Sequence, residues 1–319
     1  MNVAAPTFLD ADAIARRLSM RAAIDALHAG FARPTPAVPP RYHLTVAASD
    51  DGSGEEADLL VMPAAADGWA GTKMVGVVPG NPARGLPQVT ASYVLLGPPG
   101  LVPRAVLDGA ALTALRTAAV SGLATRLAAR PDARRVVIVG SGVLARAHVV
   151  AMAAVLDDVE VTIVARDQAA VGPLVADVRA TGCDVPVVAG GLDALARADV
   201  ICLTTSSATP VVGLADLAPG VHVNAVGAHR PDRREVAADA VAEARVLVAT
   251  RESALTEKGD LLLAEAEGAW TRDTIVGDLH EAVIGSVAPR TDPADRTLFA
   301  SVGHALEDLI VARAIVDAG

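Results

Sequence analysis

The stretch that most restricts the fold runs from Arg134 to Ala145, Arg-Arg-Val-Val-Ile-Val-Gly-Ser-Gly-Val-Leu-Ala. Val136–Val139, with Arg135 before them, form the unbroken β-branched run expected of a short parallel strand covered by helices on both faces. Gly140, Ser141, Gly142, Val143, Leu144 and Ala145 then fit G-x-G-x-x-G/A, and a helical pattern follows from Val143 to Val155. Gly140 permits the tight turn, and Gly142 lets a pyrophosphate approach the backbone. Ala145 is small enough for close helix–strand packing, and the helix N-terminus faces the phosphate charge. A glycine triplet alone is a weak signal. Strand, glycines and helix in this order predict a dinucleotide site, against the alternative of an ordinary strand-to-helix turn.

Around that stretch the chain has two rhythms. From Arg134 onward strands alternate with helices: strands at Val136–Val139, Val159–Val164, Val185–Val188, Val200–Leu203, Val221–Val226 and Val246–Val248, with helices at Leu144–Leu156 and Gln168–Thr181. That alternation predicts a Rossmann-type, doubly wound parallel sheet. Before it, helical spacing at 10–18 and 20–32 gives way to a proline-rich run at 34–40. Five strands without intervening helices follow at Tyr42–Ala47, Ala57–Met62, Trp69–Val78, Val89–Leu96 and Val102–Leu107. They predict a mixed or antiparallel sheet in an α+β domain, with Ala110–Ala129 a long helix leading into the parallel part. Short helices are expected at Asp260–Glu267 and Leu279–Ile284, and an amphipathic helix at Leu298–Val316 that returns to the first domain. The expected division is 1–115 with 296–319, and 116–295 as the dinucleotide domain.

Composition removes several function classes. At 319 residues, 52% apolar and 20% charged, the chain can bury sizeable cores, and no apolar run reaches membrane-spanning length. A net charge of −10 and 2% aromatic residues speak against nucleic-acid partners. Cys183 and Cys202 lack metal-type spacing, and no metal site is expected; with no basic-then-apolar leader, the expectation is a reduced cytoplasmic protein.

Three cations precede the dinucleotide domain. Arg41 follows the prolines, Lys73 sits inside an apolar strand, and Arg116 lies among Leu112, Thr113, Ala119 and Val120. Arg116 has no acidic neighbour at helical spacing, so its charge requires a partner from elsewhere, protein or ligand. At the end of the second nucleotide strand, where an acidic residue would hold the ribose of NAD, the chain reads Ala165-Arg166-Asp167. Arg166 points to NADP(H), and Asp167 keeps NAD(H) as the alternative. Thr204, Thr205 and Ser206, after the fourth strand, are placed to line the cofactor cleft.

The motifs Val61-Met-Pro63, Gly71-Thr-Lys73, Pro79-Gly-Asn81, Gly85-Leu-Pro-Gln88, Asp108-Gly109 and Arg116-Thr-Ala-Ala-Val-Ser121 resemble the ornithine cyclodeaminase/mu-crystallin family. So do Asn224-Ala-Val-Gly227, Glu257-Lys-Gly-Asp260 and Ser301-Val-Gly303 with Glu307-Asp308. The resemblance spans nearly the whole chain. It implies that Arg41, Lys73 and Arg116 surround a substrate carboxylate, with Gln88 bordering the pocket. It adds Thr117, Val226, Gly227, Val302 and Gly303 to the expected cofactor contacts, and a homodimer built on the first domain's sheet.

Within that family the sequence leans to one branch. Cyclodeaminases carry an aspartate after Asn-Ala-Val-Gly, where this chain has His229, and an acid near Met-Pro, where it has Leu60. A neutral histidine pairs poorly with a substrate ammonium. The resemblance therefore implies an NAD(P)H-dependent reductase of small carboxylated imines, of ketimine-reductase type. Lys73, His229 or water would supply the proton. The alternatives are a cyclodeaminase, an amino-acid or oxo-acid dehydrogenase, or a non-catalytic NADP(H)- or small-ligand-binding protein.

Overall fold

The computed structural model describes residues 5–34, 36, 38–48 and 55–319. The chain divides into two compact units, Met1–Ala26 with Thr35–Arg116 and Ala305–Gly319, and Leu27–Pro34 with Thr117–His304. The first unit begins with β1 (Thr7–Leu9) and α1 (Ala11–Arg17), whose N-terminus is capped by the Asp10 carboxylate accepting from Ala13 N–H at 2.8 Å. Then come α2 (Met20–Phe31), β2 (Tyr42–Ala47), β3 (Glu56–Ala66), β4 (Trp69–Val77), β5 (Val89–Gly97), β6 (Val102–Asp108) and α3 (Gly109–Ala128). The sheet order is β1-β6-β5-β4-β3-β2, antiparallel except that β1 runs parallel to β6. Asp108 ends the last strand and starts α3, its Oδ1 accepting from Ala110 and Ala111 N–H. The helix continues across the unit boundary after Arg116.

Register assigns the two faces of this sheet. Met62, Lys73, Tyr93 and Leu107 stand opposite one another and are all buried. One residue along, Val61, Met74 and Ser92 face the other way with Tyr42. Period-2 alternation makes this split unavoidable once the register is set.

The second unit holds β7 (Arg135–Val139), α4 (Val143–Val155), β8 (Glu160–Val164), α5 (Val171–Ala180), β9 (Val187–Gly190), β10 (Val200–Leu203) and β11 (His222–Ala225). It continues with α6 (Ala238–Ala242), β12 (Ala244–Val248), α7 (Arg251–Glu257), α8 (Gly259–Ala266), β13 (Ile275–Asp278), α9 (Leu279–Val283) and β14 (Arg296–Ala300). The eight strands are all parallel, ordered β13-β12-β14-β11-β10-β7-β8-β9. The β7–β11 half is the doubly wound arrangement read from the sequence, and its strands are Val/Ile/Leu-rich because helices bury both faces.

Two elements differ from expectation. Residues 298–304 are not helical: Leu298–Ala300 belong to β14, which inserts between β11 and β12. The final helix, α10, is Ala305–Asp317 and packs on β3, β4, β5 and β6. The apolar run at 298 satisfied a helical pattern locally, but long-range pairing made it a strand. The units accordingly divide at Arg116/Thr117 and His304/Ala305, where the sequence put 115/116 and 295/296, and Leu27–Pro34, expected within 1–115, falls in the second unit. Strands β1 and β13, three and four residues long, lay outside the reading. Among the described residues no helix is long and apolar enough to cross a membrane.

Candidate functional site

In the first unit, the buried sheet face carries Lys73 and α3 carries Arg116; α10 brings Glu307 and Asp308 to both. Lys73 Nζ donates to Asp308 Oδ1 at 3.0 Å and lies 2.8 Å from Oδ2. Arg116 Nε donates to the same Asp308 Oδ1 at 2.9 Å, and its Nη1 to Glu307 Oε2 at 3.1 Å. All four side chains are at most 6% exposed. Arg116 therefore has protein partners, supplied by residues about 190 positions away. Neither acid was assigned a role from sequence, although both stand in the Glu307-Asp308 motif. Consecutive acids on a helix read as a solvated face unless the distant cations they meet are known.

Burial sets the chemistry of this cluster. Desolvation lowers the Lys73 pKa to about 8; Asp308 opposes that shift, while Arg116 and Arg41 reinforce it. For Asp308, burial alone would raise the pKa, but Lys73 and Arg116 overcome it and hold the carboxyl below its ordinary value. Burial likewise penalises Arg116, and Asp308 and Glu307 more than compensate. Tyr93, beside Lys73 in the register, is pushed well above the ordinary phenol range by burial and by Asp308. Arg41 is half-buried just before β2. Gln88 is exposed, its carbonyl accepting from Val78 N–H at 2.9 Å.

In the second unit the expected cofactor residues gather at one edge of the sheet. Gly140, Ser141, Gly142, Val143 and Leu144 follow β7, and Ala165, Arg166 and Asp167 follow β8. Thr204, Thr205 and Ser206 follow β10, Val226 and Gly227 follow β11, and Val302 and Gly303 follow β14. All lie beyond the carboxyl ends of parallel strands, where ligands bind in open α/β sheets. Thr117 is elsewhere, buried in α3.

The cradle at β7–α4 suits a dinucleotide. Gly140 has φ +129°, and a side chain there would collide with Thr204, so glycine is required. A Cβ at Gly142 would meet no atom within 4 Å, leaving open space against the helix start. Gly142 caps α4 without a side-chain hydrogen bond, so the first N–H groups of this 13-residue helix are left for an anion. At the end of β8, Arg166 is exposed, while the Asp167 carboxylate already accepts from Ala169 N–H at 3.0 Å.

His229 is exposed, with Nδ1 3.4 Å from the Gly227 carbonyl. Its loop is tied down by Glu235, Lys258 and Asp260, all fully buried; the last two stand in the Glu257-Lys-Gly-Asp260 motif, but the sequence assigned none of the three a role. Among the described residues no group of three or more His, Cys, Asp or Glu could hold a metal ion.

The chain is similar to several related enzymes, among them an archaeal alanine dehydrogenase with bound NAD whose solved structure matches with a TM-score of 0.87 at 28% identity, over 98% of this chain and 95% of that one. A Delta(1)-pyrroline-2-carboxylate reductase of Bacillus cereus is 35% identical over 265 residues, 82% of this chain and 81% of the relative. The ketimine reductase mu-crystallin of Mus musculus is 35% identical over 261 residues, 81% and 80% of the two chains. The solved structure of Thermococcus litoralis Delta(1)-pyrroline-2-carboxylate reductase in complex with NADH and L-proline matches with a TM-score of 0.89 at 28% identity, over 98% of this chain and 97% of that one. The model of the ornithine cyclodeaminase/mu-crystallin family matches residues 5–318, and the chain belongs to that family.

Proposed function

We propose that this protein is an NAD(P)H-dependent reductase of small cyclic imines bearing a carboxylate beside the C=N carbon. The observation that carries the reading is Lys73: a buried ammonium with a pKa of about 8, anchored by Asp308 and adjoining Arg116. A general acid works best when its pKa lies near the operating pH, which Lys73 satisfies. When bound, the reduced nicotinamide supplies a hydride to the imine carbon. Lys73 delivers the proton to the ring nitrogen, giving the saturated cyclic amino acid, and is reprotonated from solvent. Asp308 keeps Lys73 charged and aimed.

Clustered cations favour a carboxylate. Lys73 and Arg116 meet at Asp308, and Arg41 lies near enough to lower the Lys73 pKa, so three cations gather where one small anion can bind. Arg41 and Arg116 hold the substrate carboxylate, and holding both partners in place is the main catalytic contribution of the chain. A cyclodeaminase would want an acid where His229 stands.

The finer features of the proposal each have their own support. Preference for NADPH is supported by exposed Arg166 after Ala165, with Asp167 engaged in capping. A homodimer is supported by Tyr42, Leu44, Val46 and Met74, exposed apolar side chains on one face of the first unit's sheet. A cytoplasmic setting is supported by Cys183 and Cys202, both free.

The decisive experiment offers the protein five- and six-membered ring imines carrying a 2-carboxylate, with NADPH or NADH, and follows loss of nicotinamide absorbance. Turnover of the acids but not of their esters supports the reading. Equal turnover of esters removes the carboxylate clamp, and no turnover with any cyclic imine removes the reductase assignment.

A further inference from the structure

In the second unit, one carboxylate holds two strand-end loops together. Glu235 Oε1 accepts from Thr205 N–H at 2.7 Å and from Thr205 Oγ1 at 2.8 Å. Its Oε2 accepts from Gly227 N–H at 2.7 Å and Ala228 N–H at 3.1 Å. Thr205 follows β10 and Gly227 follows β11, so a single side chain joins the segments leaving two adjacent strands. Those backbones are in such close approach that any side chain at Gly227 would strike Thr205 and Glu235. The clip is itself held. Asp260 Oδ1 accepts from Glu235 N–H at 2.7 Å and Val236 N–H at 2.8 Å. Lys258 Nζ donates to the Ala228 carbonyl at 2.9 Å and pairs with Asp260 Oδ2 at 2.8 Å. A side chain at Gly259 would collide with the carbonyls of Arg230 and Arg233, which explains the Lys-Gly-Asp order in this segment.

A buried acid with four donors is more than the fold needs to close a loop. Core packing and the backbone ladder already hold the strands and reach Thr204 and Val226, one residue past each end, but no ladder bond reaches Thr205 or Gly227, whose N–H groups go to Glu235 instead. From this geometry we infer that Glu235 is a positioning residue for the dinucleotide, fixing the 204–207 and 226–229 segments as one rigid wall. The inference rests on the reading above that these segments line a dinucleotide site. Glutamine at 235 keeps the shape but brings one acceptor and one NH2 group. Either Thr205 or the Gly227–Ala228 pair then faces a donor with a donor, and its loop is released.

The test is titration of NADPH and NADH into the full-length protein by nicotinamide fluorescence, beside steady-state kinetics. Glu235→Gln is expected to raise Kd and the cofactor KM by ~10-fold or more, with the imine KM at saturating cofactor changed much less. Leu261→Ala, a core residue of α8 whose side chain makes no hydrogen bond to the clip, is the control: it should lower Tm while leaving Kd and both KM values near those of the parent. Thr205→Val removes one of the four donors and should move Kd in the same direction by less, which keeps the question open to measurement if Glu235→Gln fails to fold. Unchanged Kd in Glu235→Gln or, if that variant does not fold, in Thr205→Val overturns the inference. So does an equal Kd shift in Leu261→Ala. If the parent protein binds neither dinucleotide, the functional reading itself fails, and the two failures are thereby distinguished.

Discussion

Asp308 meets two buried cations of the first unit through the same oxygen: its Oδ1 lies 3.0 Å from Lys73 Nζ and 2.9 Å from Arg116 Nε. The acid thus sets the charge state of Lys73 and the position of Arg116 together. Lys73 as proton donor is active when protonated, so kcat/KM should fall as pH rises through about 8. Asp308 raises the Lys73 pKa, so Asp308→Asn should move that fall to lower pH and cut kcat by ~10²-fold or more. A pH–rate profile of both proteins checks it; an unmoved basic limb would rule Lys73 out as the titrating acid.

Replacing Arg116 bears on stability as much as on turnover. Arg116→Leu removes one cationic partner from each of two fully buried carboxylates, Glu307 and Asp308, leaving Asp308 to Lys73, and should cost about 3–5 kcal/mol of folding free energy. Arg116→Lys retains the charge but loses the fork that reaches both acids, and should fold better while losing most turnover. Urea denaturation of the pair of variants separates the two effects.

The glycine cradle predicts opposite behaviour at neighbouring positions. Gly140→Ala adds a methyl against Thr204 at φ +129° and should lower Tm as well as dinucleotide affinity. Gly142→Ala meets nothing within 4 Å, so Tm should hold while dinucleotide affinity drops by ~10-fold or more. Differential scanning with and without NADPH reads both. Arg166→Ala should weaken NADPH by ~10-fold or more and NADH little, by loss of a charge-assisted contact.

Two buried histidines link stability to pH. Burial lowers the pKa of His148 to about 4 and of His222 to about 3, from an ordinary 6.5. His148 Nδ1 donates to the Leu144 carbonyl at 2.7 Å, and His222 sits between Thr297 and Asn224. The unfolded chain takes up their protons near 6.5 and the folded one does not, so stability is full above 6.5. It is lost as pH falls from there toward 4, by about 1.4 kcal/mol per unit for each histidine. Denaturation midpoints measured at several pH values across that window give the slope.

The sequence made the doubly wound half legible because its strands are short apolar runs punctuated by glycine at strand ends, and local pattern suffices there. Lys73 and Arg116 stood out as charges among apolar neighbours. Their partners did not, because Glu307 and Asp308 look solvated until α10 is placed on β4. Lys258 and Asp260 stood in a motif and Glu235 shortly after another, yet their roles were not legible, because their partners are mainly backbone groups in other loops, which leave no spacing signature. The 298–304 run was misjudged because strand insertion between β11 and β12 is decided by pairing far away in the chain.

That insertion fixes an order of assembly. β11 and β12 precede β14 in synthesis, yet each stays an open edge until residues 296–300 emerge and fill the gap between them. The helix that neutralises Lys73 and Arg116 comes later still, at Ala305–Asp317. A nascent chain halted near residue 295 therefore carries two unpaired strand edges and an uncovered apolar sheet face with Lys73 and Arg116 still lacking Glu307 and Asp308. Such a chain should self-associate or be degraded rather than wait half-folded, and both units become sound only when the same short segment leaves the ribosome.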